Sequence, residues 1–216
     1  MDNSSVLSKQ QIDALKEVGN FGASHAANAL SQLTGKKIVI SVPEVRSVPL
    51  KRIVELVGPP ESLVAAIYSK LMGDTQGRLL LIFSKQSAFN LVDILMKRSA
   101  GQTKFLSEID CSALKEVGNI LTGAFVTSLA EFLNVSLIPS VPLMAYDLVG
   151  GILEALVVEF GEEADYIYCI QTEFAVPSLD IGGSFIPVFD RKSLNVIIEK
   201  IDMKIKQMSI NKKKSE

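Results

Sequence analysis

The stretch ALKEVGN, Ala14 to Asn20, returns letter for letter at Ala113 to Asn119. Sliding the chain on itself by 99 residues also pairs Asp13 with Ser112 and Ser41-Val42-Pro43 with Ser140-Val141-Pro142. Further along the register drifts: GRLLLIFSKQSAFNLVDIL from Gly77 matches GSFIPVFDRKSLNVIIEKI from Gly183 at an offset of 106. Insertions that change an offset belong in loops between elements, so two homologous units follow one another. Their bounds are about 9–98 and 107–204, joined by KRSAGQTK from Lys97 to Lys104, too short to be a flexible tether.

Each unit reads the same way. A helix is expected from about Lys9 to Leu33, then the β-branched strand KKIVISV closed by Pro43. A short helix over Leu50 to Val57 precedes a hairpin, LVAAIYSKLM and RLLLIFS around the turn GDTQG, and a helix over about Lys85 to Arg98 closes the unit. The second unit repeats this with a helix near Ser107 to Leu133, the strand NVSLIPSV and a helix from Ala145 to Leu156. Strands near Tyr166 to Phe174 and Gly183 to Phe189 and a last helix from Lys192 follow. Apolar hairpin strands such as RLLLIFS are not stable as lone ribbons in water. One mainly antiparallel sheet shared by both units and flanked by helices satisfies them, which makes the chain an α/β, single pseudo-twofold domain over 1–205 with two long motif-bearing helices. Residues 206–216 are expected to form a disordered basic tail.

Composition removes many functions. Lys plus Arg number 22 against 24 Asp plus Glu, a net charge of −2 that provides no basic field for nucleic acid or an anionic membrane. MDNSSVLSKQ lacks the basic and apolar regions of a secretory leader, and no apolar run approaches a membrane span, so a cytoplasmic protein is expected. Cys111 and Cys169 lack CxxC spacing and read as reduced thiols. His25 is the lone histidine, so a His-rich metal centre is excluded and a packing or surface role suits it better than catalysis.

On the first helix Asp13, Glu17 and Asn20 are spaced i, i+4, i+7, which puts them within about 60° of one another on one face. Ile12, Leu15, Val18, Gly19, Gly22, Ala26 and Leu30 take the opposite arc. A single such face is ordinarily just solvated. Here, however, the residues after the match have diverged on the core side, FGASHAANALS against ILTGAFVTSLA, while Glu and Asn have not. We assign Gly19 and Gly118 to close helix packing, since a mid-helix glycine costs about 1 kcal/mol against alanine, and Glu17, Asn20, Glu116 and Asn119 to function. With no histidine base or metal set beside it, a carboxamide can hold a water and a carboxylate can pair with a partner's lysine.

The doubled pattern [D/S]-x3-E-x2-N, each copy followed by a proline 23 residues beyond its Asn (Pro43 and Pro142), resembles the CheC family within the CheC/CheX/FliY group of chemotaxis phosphatases. The resemblance runs from about Lys9 to Lys200 and implies dephosphorylation of CheY-P, the aspartyl-phosphate form of the response regulator that directs the flagellar motor. It makes Glu17 and Glu116 anchors for the receiver's active-site lysine and gives Asn20 and Asn119 the orienting of the attacking water. It leaves the Mg²⁺ on the receiver, so that the chain needs no cofactor of its own. The family also binds the receptor deamidase CheD through the helix after the second proline, where Asp147 matches the docking position. Two motifs in one chain resemble CheC rather than CheX, which has one per subunit, and a monomer is expected because the duplication already supplies a twofold. An adaptor that holds receiver and deamidase with weak or no catalysis is the competing expectation.

Overall fold

The computed structural model describes residues 7–160 and 166–214, the side chains of 160 and 205–214 excepted. Helix α1, Lys9–Thr34, starts where Ser8 caps it in a reciprocal box with Gln11 and stops at Gly35 in the left-handed region. Helix α3, Glu108–Leu133, repeats both ends: Ser107 boxes with Asp110, and Asn134, 99 residues after Gly35, takes the left-handed turn. Between them come strands β1 (Val39–Ile40) and β2 (Glu44–Pro49), a 3-10 turn (Leu50–Leu56), β3 (Leu63–Gly73), β4 (Gly77–Ser84) and helix α2 (Lys85–Leu95). The second unit continues with β5 (Leu137–Pro139), β6 (Leu143–Leu148), α4 (Val149–Phe160), β7 (Tyr166–Val176), β8 (Ile181–Phe189) and α5 (Arg191–Lys214).

Among the described residues one eight-stranded sheet runs β1-β7-β8-β4-β3-β5, with β2 also paired to β7 and β6 to β3. Every pairing is antiparallel, and the units meet at β4 and β8, where Leu81 faces Phe185. Strand β4 is apolar on both faces because both are covered: Leu79, Leu81 and Phe83 enter the core under α1 and α3, and Leu80 and Ile82 the core under α4 and the 3-10 turn. Across the larger core Gly22 of α1 admits the ring of Phe125 from α3, which stacks on Phe185 with centroids 6.0 Å apart. The connector between units is fastened rather than loose. The buried Asp93 carboxylate accepts from the Thr103 amide (2.9 Å), the Thr103 hydroxyl (2.6 Å) and the Gln102 amide (3.1 Å), and Arg98 pairs with buried Asp110 at 2.8 Å.

Several expectations differ, the strand NVSLIPSV among them, which is only Leu137–Pro139. The strand read as KKIVISV is only Val39–Ile40; Pro43 bends the chain instead of ending it, and β2 follows. The helix expected from Ala145 starts at Val149, because Leu143 to Leu148 bond along β3 as a strand. Helix α5 carries the backbone to Lys214, past the boundary at 206 where a disordered tail was expected, over a run whose Lys, Gln and Met favour the helix.

Candidate functional site

Each helix has its apolar arc pressed on the sheet, and this fixes what it shows to water. In α1, Leu15, Val18, Gly19, Gly22, Ala26 and Leu30 are buried, Ile12 is half-buried, and Asp13, Glu17 and Asn20 are exposed. In α3, Leu114, Val117, Gly118 and Leu121 are buried, and Ser112, Glu116 and Asn119 are exposed. Among the described residues none of these four Glu and Asn side chains has a hydrogen bond or ion pair within the chain. The structure therefore brings together Glu17 with Asn20, and Glu116 with Asn119, as two separate pairs at i, i+3, where side chains stand about 5–6 Å apart at Cβ.

The glycine of each repeat holds its helix down. A methyl group at Gly19 would stand 2.5 Å from Cγ2 of Ile170 on β7 and 3.2 Å from Cβ of Pro43, and one at Gly118 would overlap Ile67 on β3. Pro43 and Pro142 are both buried. Their positions are set by the preceding serines. The Ser41 amide donates to the Glu173 carbonyl at 2.8 Å, and the Glu173 amide donates to Ser41 Oγ at 3.0 Å. Ser140 makes the same two bonds with Lys70, at 2.8 and 3.0 Å. Between serine and proline, Val42 and Val141 each stand 77% exposed. The repeated Ser-Val-Pro triplet was visible in the sequence, but only the fold gives its serines their anchoring role and its valines their exposure.

Asp147 lies apart from both pairs. It belongs to β6, not to a helix, opposite Val64 of β3, and cross-strand partners share a face. Val64 packs in the core under α4, so Asp147 is on the side of the sheet away from α1 and α3. The residue is exposed, and its Oδ1 accepts from the Leu148 amide at 2.7 Å. His25 is exposed with its ring against Phe21, centroids 4.8 Å apart. Burial first, and then Asp110 and Glu108, push the Cys111 thiol up, and burial pushes Cys169 up to about 12. Thiols so shifted are poor nucleophiles. Among the described residues no group of three or more His, Cys, Asp or Glu is placed to hold a metal, and no helix is long and apolar enough to cross a membrane.

What the two pairs offer is one free carboxylate and one free carboxamide on a rigid helix, repeated. The CheC-like family model matches residues 11–47 and 109–143, spans that hold both pairs and both prolines. The chain is 31% identical to the CheY-P phosphatase CheC of Bacillus subtilis over 77% of its own length and 80% of that protein. It is 29% identical to the flagellar motor switch phosphatase FliY of Bacillus subtilis, over 57% of this chain and 32% of FliY. The crystal structure of Thermotoga maritima FliY superposes with a TM-score of 0.74 at 24% identity, covering 92% of this chain and 99% of that one.

Proposed function

Because the chain belongs to the CheC-like family, within the CheC/CheX/FliY group of chemotaxis phosphatases, we propose that it hydrolyses the aspartyl phosphate of a CheY-type response regulator at two sites, Glu17 with Asn20 and Glu116 with Asn119. The observation that carries this reading is the exposure of two unpartnered Glu/Asn pairs on helices held in register by a glycine against the sheet. Glu17 or Glu116 pairs with the lysine of the receiver's phosphorylation site. The amide of Asn20 or Asn119 enters that site and holds a water in line with the phosphorus. The water oxygen bonds to phosphorus as the bond to the aspartyl oxygen breaks, giving inorganic phosphate and a free carboxylate. Mg²⁺ belongs to the receiver, whose own residues bind it.

The demand on this chain is modest. An acyl phosphate is already reactive, and a hundredfold acceleration needs about 2.7 kcal/mol of transition-state stabilisation, within what orienting one water provides. The test is loss of label from a ³²P-phosphorylated CheY-type receiver in Mg²⁺ with and without this protein. Faster loss is expected, and an unchanged rate at saturating protein overturns the reading.

A second role, docking of the deamidase CheD, draws support from the edge strand that holds Asp147. Strand β2 is blunted by the Glu44–Arg46 ion pair at 2.5 Å, whereas β6, 99 residues later, has exposed Leu143 and Ala145 at those places and exposed Leu148 after Asp147. An edge whose one charge is Asp147 is a readier surface for a partner than the ion-paired β2. Asp147→Lys is expected to abolish co-migration with CheD and to leave receiver dephosphorylation intact; CheD binding by the variant at wild-type affinity would remove this role.

A further inference from the structure

The two sites are repeats, yet their surroundings are not equal. Ile109 lies seven residues before Glu116 on α3, which places it about 10 Å away along the axis and within about 20° of the same line. It is 65% exposed, and Phe105, on the other side of the cap Ser107, is 76% exposed. In the first unit the place of Ile109 is taken by Gln10, also exposed. The described asymmetry is therefore Ile109 against Gln10, since the place of Phe105 falls on Val6, outside the described residues; an apolar side chain in water on the line of a site suits a partner seated there.

A stable protein partner covers about 800 Å² on each side, roughly a disc of 16 Å radius. A receiver seated over Glu116 and Asn119 therefore reaches Ile109, and one seated over Glu17 and Asn20 reaches Gln10. Building on the phosphatase reading, we infer that Phe105 and Ile109 form an apolar ledge that seats the receiver at the second site, making that site the tighter of the two. The ledge contributes affinity rather than chemistry, because neither side chain carries a group that can act on phosphate. Desolvating such anchors at an interface is worth more than adding rim charges.

Single-site backgrounds test this. Glu17→Lys leaves the second site to bind, and Glu116→Lys leaves the first. A CheY-type receiver domain loaded with beryllofluoride is titrated against each. In the Glu17→Lys background, Phe105→Ala with Ile109→Gln should weaken binding about tenfold, the size expected for losing roughly 1.4 kcal/mol. In the Glu116→Lys background, Gln10→Ile should tighten it; that gain depends on no lost contact, so misfolding of the ledge variant cannot imitate the pattern. In decay assays the ledge variant should raise KM and keep kcat, whereas a merely structural defect would lower kcat. If the parent chain binds and dephosphorylates the receiver while both arms stay within twofold, the ledge is refuted and the phosphatase reading survives. If the parent neither binds nor dephosphorylates it, both fall together.

Discussion

At the residue scale the repeated glycine and the repeated asparagine have different reasons to be there, and each reason gives its own prediction. Gly19 and Gly118 face Ile170 and Ile67 with no room for a methyl group. Overpacking of this kind costs about 1–3 kcal/mol, against about 1 kcal/mol gained in helix propensity. Gly19→Ala and Gly118→Ala should each lower stability by up to about 2 kcal/mol in urea unfolding. Gly123, in the same helix α3 with open space at its Cβ, is the control: Gly123→Ala should raise stability by about 0.5–1 kcal/mol. The glycine's packing role was legible because the same letter recurs on the buried arc of both helices. The partner of that glycine was not, since Ile170 and Ile67 reach it only through the strand register. Asn20 and Asn119 were legible as exposed, but a sequence shows no water and no receiver, so a role for them was legible only through the likeness of the repeated pattern to a family.

At the scale of elements, long buried strands and both motif helices could be read closely: α1 begins at Lys9 as expected, and RLLLIFS is the doubly covered β4. The edge strands could not. Strand β2 is EVRSVP, bounded by prolines and mostly exposed, and β6 is LMAYDL, which runs without a break signal into the apolar helix α4. Edge strands bury one side at most, so the period-2 pattern that marks a strand is weak there. The connector was readable as short but not as fastened, because Asp93 meets the amides of Gln102 and Thr103 only in the fold. Burial pushes the Asp93 carboxyl up, but the Thr103 hydroxyl and the amides of Thr103, Gly101 and Gln102 outweigh it and hold it below its ordinary value. Asp110 is likewise held low: burial opposes, and the Ser107 amide, Arg98 and the Ser107 hydroxyl prevail. A depressed native pKa gives stability that is whole above the unfolded value of about 3.9 and is lost as pH falls through the native value. The urea midpoint should therefore fall steeply below about pH 4, and Asp93→Asn should flatten that fall. Asp93→Ala should cost about 2–4 kcal/mol at neutral pH, since it strands the buried amide and hydroxyl of Thr103, and the fall of the urea midpoint measures it.

At the scale of the whole molecule the duplication explains most of the architecture. Strands β4 and β8 join the units across the pseudo-twofold, α1 and α3 lie over the larger core, and four features of one Glu/Asn pair recur in the other: capping serine, packing glycine, anchored serine and buried proline. The departures from symmetry, Glu44 and Arg46 on β2 against Leu143 and Ala145 on β6 and Gln10 against Ile109, are where the two halves have room for different partners. Two carboxamides on these helices are expected to speed hydrolysis of a receiver's aspartyl phosphate. Decay of a ³²P-labelled CheY-type receiver in Mg²⁺ with the Asn20→Ala, Asn119→Ala double variant, set beside wild type and beside receiver binding by both, tests it most directly. Fast decay is expected with wild type, the spontaneous rate with the double variant, and binding retained in both. A double variant that still accelerates decay as wild type does would show that the asparagines are not the agents.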